Sequence, residues 1–351
     1  MFKLSELAQI NNGKCNAQDA KDNGVFPLYD RSTEVKKSDK YLFDCEAIIV
    51  PGEGANFIPR YYHGKFNLHQ RCYCIHSFRN VNGKYLFYNI LANKDYFKSV
   101  AVGSTVPSLR LNHFLDMPLT IHSYDQQLHI VDTIGSIDDL IENNNTIIIK
   151  LENIILNLYR KKSIEWKKQV KIGDLFKCIL GGTPSTKKNE YWDGDIAWVN
   201  SGEVNKLRIV SPSRYITKDG LENSATKLLP KKTTVIAITG ATLGQVSLLE
   251  IDSCTNQSVI GILENNTLKH DFIYPMMINA IKKLVLNKTG GAQQHINKND
   301  VETFEIFVPS EIEYFEYSQI IQPIFEYQSK LILQNKELLL LKNKYLQKFF
   351  G

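Results

Sequence analysis

The residues best suited to touch a polyanion sit in loops. Gly181-Gly182-Thr183-Pro184-Ser185-Thr186-Lys187-Lys188 offers small hydrogen-bond donors at Thr183, Ser185 and Thr186, followed by two lysines. A phosphate-binding P-loop needs Gly-x-x-x-x-Gly-Lys-Ser/Thr, so that successive backbone N–H groups cradle the phosphates. Here the second glycine is missing and no Ser or Thr follows Lys187, which argues against an NTPase. The composition suits contact with a nucleic-acid phosphate backbone; a solvated hairpin loop is the other reading. A second loop, Gly290-Gly291-Ala292-Gln293-Gln294-His295-Ile296, carries two adjacent amides beside an imidazole. Gln293 and Gln294 have the paired donor and acceptor that read adenine N6 and N7 in a major groove, or else they cap a neighbouring strand or helix. Thr255-Asn256-Gln257 leads into an apolar strand, where Gln257 is expected to satisfy buried backbone. Basic and aromatic residues interleave in Pro59-Arg60-Tyr61-Tyr62-His63-Gly64-Lys65 and around Arg208, Arg214, Tyr215 and Lys218, with Arg71 and Arg110 adding to the first set. Such clustering favours nucleic-acid contact over a scattered basic surface.

No catalytic constellation accompanies these loops. The chain has no His-Glu-x-x-His, no Gly-x-Ser-x-Gly and no Gly-x-Gly-x-x-Gly after a strand. It also lacks Asn/Asp-Pro-Pro-Tyr/Phe, the tetrapeptide with which adenine methyltransferases hold a flipped base, so no residue is assigned a catalytic role. Cys15, Cys45, Cys72, Cys74, Cys178 and Cys254 show no paired zinc spacing, so no metal site is expected and they read as reduced, mostly buried thiols. A net charge of +5 is mildly basic and compatible with a nucleic-acid partner. No apolar run reaches membrane length and MFKLSELAQ lacks a signal-peptide core, so a cytoplasmic protein without membrane contact is expected.

The elements that must position these loops repeat. Apolar residues recur at Ile130, Ile134, Ile137, Ile141, Ile148, Leu151, Ile155 and Leu158, in steps mostly of three or four, which predicts a long helix with a seam for a partner helix. Near the C-terminus a second seam reads Ile320, Ile324, Tyr327, Leu331, Leu338, Leu341 and Tyr345. Aligned 190 residues apart, the two seams also place Asn145 opposite Asn335. About 38 residues at ~1.5 Å each give a rod of roughly 57 Å. Before each rod lies a stretch of mixed α/β character. In the first, Glu46–Val50 and Cys72–Ile75 read as strands, Tyr85–Lys98 as helix, and Met117–Ile121 as a last short strand. From Val170 the plan restarts: Lys171-Ile172-Gly173-Asp174-Leu175 echoes Lys3-Leu4-Ser5-Glu6-Leu7, Gly181-Gly182 answers Asn12-Gly13, and the strand Thr234–Ile238 with Thr239-Gly240-Ala241 answers Ile48–Gly54. Gln257 stands opposite Gln70, and Gly290 opposite Gly103, each 187 positions on. The chain is thus expected to be α/β (α+β): a globule over 1–123, a central long helix over 124–166, a second globule over 167–310 and a C-terminal long helix over 311–351.

These residues carry a resemblance. Lys171–Leu175, Gly181-Gly182-Thr183-Pro184-Ser185, Tyr191-Trp192, Gly194-Asp195-Ile196-Ala197-Trp198, Thr239-Gly240-Ala241-Thr242-Leu243-Gly244, Thr255-Asn256-Gln257 and Gly291-Ala292-Gln293-Gln294-His295-Ile296 resemble the target-recognition domain of Type I restriction-modification specificity (S) subunits. The likeness covers 170–351 strongly and 1–166 more weakly, where Asn11-Asn12-Gly13-Lys14 and Gln126-Gln127 fit but the Gly-Gly-Thr-Pro loop is absent. It implies two target-recognition domains in an internal pseudo-twofold repeat, each reading half of a bipartite double-stranded DNA site. The helices would form an antiparallel, coiled-coil-like spacer. The implied partners are adenine-methyltransferase (modification) subunits, two of them, and restriction/translocase subunits. S-adenosylmethionine, ATP and Mg would reside in those partners, with no cofactor in this chain. Three other readings stay open from the sequence: a silent or recombining specificity-gene copy, a free-standing nuclease or NTPase with an unrecognised site, and a helical scaffold without a DNA role.

If the helices set the distance between half-sites, four residues inserted after Glu142 lengthen the first helix by ~6 Å and turn its distal part by only ~40°. With about 3.4 Å per base pair, the preferred gap then grows by roughly one or two base pairs while both half-sites keep their sequence. Two inserted residues rotate the seam by ~200° and abolish modification. Mapping methylated adenines for both variants checks this; an active four-residue variant with an unchanged gap removes the helices as the ruler.

Overall fold

The computed structural model describes residues 1–286 and 295–351. The chain divides into two compact units, Met1–Leu140 with Leu338–Gly351, and Ile141–Glu337. In the first unit a six-stranded sheet runs in the order Gln9–Asn12, Cys72–His76, Phe43–Pro51, Arg60–Leu68, Phe26–Tyr29 and Lys36–Ser38. All its pairings are antiparallel except Phe26–Tyr29 on Arg60–Leu68. Period-two alternation sends the side chains of Phe43–Pro51 to opposite faces. Ile48 and Val50 join a core with Tyr85, Tyr88, Phe97 and Phe114, whereas Ala47 and Ile49 join one with Tyr29, Phe66 and Leu68.

The predicted helix over Tyr85–Lys98 is two helices, Gly83–Ala92 and Asp95–Val100. The break falls at Asn93, whose amide donates to Asn89 O and Oδ1 and so competes with the helical ladder. Of Met117–Ile121, only Pro118–Leu119 pairs as strand, with Phe2–Lys3.

In the second unit a five-stranded sheet orders Cys178–Leu180, Val259–Ile262, Thr234–Ala237, Val246–Leu249 and Arg208–Ile209. A three-stranded sheet orders Arg214–Ile216, Trp192–Val199 and Cys254–Thr255. The helix His270–Leu286 covers one face of the larger sheet, with Phe272, Tyr274 and Met276 buried beside Ile236, Leu248 and Ile260. The opening pattern of the first unit returns: a strand, Lys168–Lys171, then a one-turn helix, Ile172–Leu175, as with Phe2–Lys3 and Leu4–Leu7.

The two long helices are Tyr124–Ser163 and Glu311–Phe350, forty residues each, so ~60 Å. Their first residues and their last residues both differ by 187 (311 − 124 and 350 − 163). That is the offset of the globule loops, and it replaces the 190 expected from the seams. At 187, buried Ile130, Ile134 and Tyr159 correspond to buried Tyr317, Ile321 and Leu346. The 190 alignment slides the second stripe by three residues, nearly one turn, which still looks amphipathic but drifts off the face. Accordingly Ile320, Tyr327 and Leu341 are 53 %, 47 % and 41 % exposed, and the buried stripe runs instead through Tyr314, Tyr317, Ile321, Phe325, Gln328, Leu331 and Asn335. Ile324 packs partly buried against the second unit's core and Tyr345 against the first unit's, and Leu338 is half-buried. On the central helix Ile130, Ile134, Ile137, Ile148 and Ile155 are buried, while Ile141, Leu151 and Leu158 are half-buried.

Within the second unit the helices run antiparallel, since Asn144 meets Asn335 while the later Ile148 meets the earlier Gln328. Asn335 donates to Asn145 Oδ1 at 2.9 Å and accepts from Asn144 Nδ2 at 2.9 Å. The two sequence-matched asparagines therefore touch, though they occupy different positions of the repeat.

All six cysteines are free thiols, and five are buried. Burial raises their pKa values, to about 11 for Cys15 and about 12 for Cys72 and Cys178, with Cys45, Cys74 and Cys254 also raised. At pH 8 a thiol at about 12 is thiolate only about once in 10⁴ molecules. The native protein should therefore resist iodoacetamide at pH 8, with half-buried Cys45 the first to react, and gain six adducts once denatured. Intact-mass spectrometry reads this directly; rapid native labelling of Cys72 or Cys178 would contradict it.

Candidate nucleic-acid interface

Each unit gathers the same loops at one edge of its sheet. In the first, Gly13 lies against the backbone of Leu68 and His69, where an added Cβ would come within 2.2 Å of the His69 carbonyl oxygen. In the second, Gly181 lies against Thr255 and Asn256, with the Asn256 carbonyl oxygen 2.2 Å from such a Cβ. His69 and Asn256 are themselves 187 apart, so the two glycines do the same work: they let one loop backbone rest on another. Backbone hydrogen bonds hold the stack, from Gly13 to Cys72 O and Lys14 to Leu68 O, and from Gly181 to Val259 O and Gly182 to Thr255 O. A third loop closes each cluster, through Leu109 N–H to Gly52 O and Ile296 N–H to Ile238 O.

Side chains on the second cluster are those of the Gly-Gly-Thr-Pro loop. Thr183, Ser185, Thr186, Lys187 and Lys188 are all exposed. Thr183 Oγ1 donates to Gln257 Oε1 at 2.5 Å. Gln257 is thus an exposed member of this surface and does not satisfy buried backbone, a task taken by the main chain at Thr255 and Asn256. Trp192 and Trp198 donate their indole N–H groups to Ser185 O and Gly182 O, which pins the loop at two points. Lys188 Nζ lies 4.7 Å from the Tyr191 ring centre and 2.8 Å from its hydroxyl, the contact that raises the lysine pKa. Arg214 stacks over Trp192 at 4.1 Å and stays half exposed beside Asp193. His295 is exposed; Gln293 and Gln294 lie outside the described residues.

On the first unit Arg71 is half exposed and paired with Glu53, and Lys65 sits 4.9 Å over the Tyr41 ring. Arg110 is exposed where a short helix, Leu111–Leu115, begins. Arg60 turns inward: its guanidinium donates to Ser32 O and lies 5.9 Å from the Tyr29 ring. Arg31 and Glu53 join this cluster with no local spacing to mark them, and Gln70, marked in the sequence only as the counterpart of Gln257, joins it too. Close by, burial would raise the Asp30 carboxyl, but hydrogen bonds from Lys36 and Ser32 outweigh it and hold it at about 2.

Arg208 corrects the expectation most sharply. Its side chain is fully buried, lying 4.4 Å over Tyr274 and 5.1 Å over Phe325, donating to Gln328 and standing 3.7 Å from Glu250. Glu250 accepts from Lys232 at 2.7 Å and from Ser329 at 2.6 Å. Gln328 donates to Ile148 O and Glu152, and Glu152 accepts from Tyr274. Arg208 is an internal tie between the second globule and both helices, with no surface to offer DNA.

Among the described residues no group of three or more His, Cys, Asp or Glu is placed to hold a metal ion, and no helix is long and apolar enough to cross a membrane. Two loop-bearing α/β modules, each followed by a forty-residue helix, define a tandem-repeat protein. The chain belongs to the family of the Type I restriction modification DNA specificity domain, whose model matches it twice, over residues 1–153 and 163–343. It is 27% identical over 158 residues to the Type I restriction enzyme EcoR124I/EcoR124II specificity subunit of Escherichia coli, across 43% of this chain and 38% of that protein. It is 23% identical over 298 residues to the MjaIX specificity subunit of Methanocaldococcus jannaschii, across 76% and 68%. The first of these matches therefore takes in little more than a third of the relative's length. In fold it is similar to the S subunit of a Type I restriction-modification system from M. genitalium, with a TM-score of 0.65, 14% identity and coverage of 100% and 95%.

Removing one partner of a buried ion pair leaves an uncompensated charge at a cost of about 3–5 kcal/mol. Glu250→Ala should therefore destabilise the chain by about that much, whereas Arg208→Met combined with Glu250→Gln should be far closer to neutral. Chemical denaturation compares the two; equal losses would mean that Arg208 is not held by this carboxylate.

Proposed function

We propose that this chain is the DNA-sequence-recognition subunit of a Type I restriction-modification complex, reading a bipartite double-stranded site with one loop cluster per half. The observation that carries this reading is the pair of equivalent loop clusters with different side chains at matching places. Glu53 and Arg71 on the first correspond to Gly240 and Ser258 on the second, while Gln70 and Gln257 are the same. Equal scaffolds with unequal hydrogen-bonding groups are what two different half-sites require. Family membership supports the same reading. On it, Arg71, Arg110, Lys65, Thr183, Ser185, Thr186, Lys187, Lys188, Arg214, Gln293, Gln294 and His295 are the DNA-facing set. The chain acts in the cytoplasm and does no chemistry itself. Adenine-methylating modification subunits, which bind S-adenosylmethionine, dock on the helices, and ATP- and Mg-dependent restriction subunits join them.

Co-expression with the cognate modification subunit, followed by mapping of methylated adenines, tests this. One split recognition sequence should appear, and the purified chain alone should neither bind S-adenosylmethionine nor modify DNA. Methyl transfer by the chain alone, or methylation by the modification subunit with unchanged specificity in its absence, would overturn the reading.

A further inference from the structure

The loop cluster of the first unit contains a built guanidinium pair. Glu53, in the turn after Phe43–Pro51, has a side chain only 11 % exposed. Its Oε2 accepts from Arg31 Nη1 at 2.8 Å and its Oε1 from Arg71 Nη1, while the arginines are themselves 52 % and 56 % exposed. The anchor is internal and the two forks are external. Arg71 borders a concave site of about 300 Å³ with Asn12, Gly52, Glu53, Gln70 and Leu109. Main-chain bonds fix its floor, from Gly52 N–H to Arg71 O at 2.8 Å and Leu109 N–H to Gly52 O at 2.7 Å. Arg71 N–H also donates to His69 Nδ1 at 3.1 Å, and burial together with Arg31 lowers the His69 pKa, which keeps that nitrogen an acceptor.

A carboxylate between two guanidiniums cancels one of their two charges. For gripping phosphate that is counterproductive, because affinity there follows the number of cations available to displace counterions. Fixing the plane and direction of each fork is what the carboxylate adds. An arginine uses one of five N–H groups on Glu53 and keeps the rest of its planar fork. Such a fork matches guanine O6 and N7 in the major groove, the commonest base-specific contact. Resting on the function proposed above, we propose that Arg31 and Arg71 read guanine edges in the half-site of the first unit, with Glu53 as the positioning residue that aims them.

The experiment maps methylated sites, and measures binding to cognate and scrambled duplexes, for the complex of chain and modification subunit carrying Arg31→Lys, Arg71→Lys or Glu53→Gln. A lost bidentate contact lowers cognate binding by roughly 5- to 150-fold. Each Lys variant keeps its charge, so it should relax the preference for guanine in one half-site and leave the other half-site intact, an internal control for folding. Glu53→Gln should relax the same half-site while steepening the salt dependence of binding to scrambled DNA, because a negative charge is gone. Weakening that is equal for all sequences would assign these arginines to phosphate and overturn the proposal. Unchanged specificity in both Lys variants, or a first half-site without guanine, would overturn it too. If the unaltered chain directs no methylation at all, the proposed function falls and this assignment with it, an outcome separate from a variant-specific null.

Discussion

Arg208 has no route to water, and the second unit is arranged around that fact. Desolvating a guanidinium costs several kcal/mol, which only good pairing offsets. Its partners come from separate stretches of chain: Glu250 at the end of a strand, Tyr274 on the covering helix, and Phe325 and Gln328 on the C-terminal helix. The last of these reaches the central helix through Ile148 O and Glu152. A globule rotated on these helices would leave Arg208 or Glu250 buried and unpaired. Networks of this kind are poor sources of net stability, since well-packed apolar residues serve as well. What this one supplies is a single permitted orientation of the globule on its helix pair. Asn144 and Asn335 do the same along the helix axis, because a buried amide tolerates one register and penalises the rest.

The first unit meets the same requirement with fewer charges. Tyr88, on the helix Gly83–Ala92, donates to Asp138 of the central helix at 2.8 Å, and Lys342 of the C-terminal helix donates to the same carboxylate at 2.5 Å. In the second unit Tyr274 also donates to an acid of the central helix, Glu152, at 2.8 Å. The helices that carry these tyrosines start at Gly83 and His270, again 187 apart. In both, a globule hydroxyl bonds an acid on the central helix and a C-terminal-helix side chain completes the set, Lys342 in one and Gln328 in the other. At that offset Tyr88 and Asp138 fall on Pro275 and Phe325, so the tie recurs in kind and not by repeat position.

Much of this is legible in the sequence, for reasons that can be located. The long helices announce themselves because a three-four apolar stripe sustained over about ten turns fits no strand or loop. Their alignment reads three residues out, since a shift of nearly one turn maps an amphipathic face almost onto itself. Only burial separates Ile321 from Ile320. The Gly181-Gly182 loop is legible because close backbone approach demands glycine, and the approach is real. Arg208 is not, for an arginine is mostly a surface residue and nothing local reveals that Tyr274 and Phe325 will close over it. Arg31 and Glu53 are hidden for a related reason. Their pairing is a product of strand order, which sets Phe26–Tyr29 and Cys72–His76 on either side of the central strands, and neighbours along the chain say nothing of it.

The division of labour between backbone and side chain explains how one fold carries two contact sets. The loop clusters are held by main-chain hydrogen bonds and by glycines pressed onto neighbouring backbone, so their shape owes little to the side chains that point outward. Substituting those side chains costs little in stability, because surface changes away from caps and buried partners usually fall within about 0.5 kcal/mol. The same positions can therefore hold Glu53 and Arg71 in one unit, and Gly240 and Ser258 in the other. Internal anchors obey the opposite rule, since changing one member strands its partner in low dielectric. A repeated chain of this design is free to diverge at its loops and constrained at its helix contacts, so its two halves keep one frame while differing where they would meet a ligand.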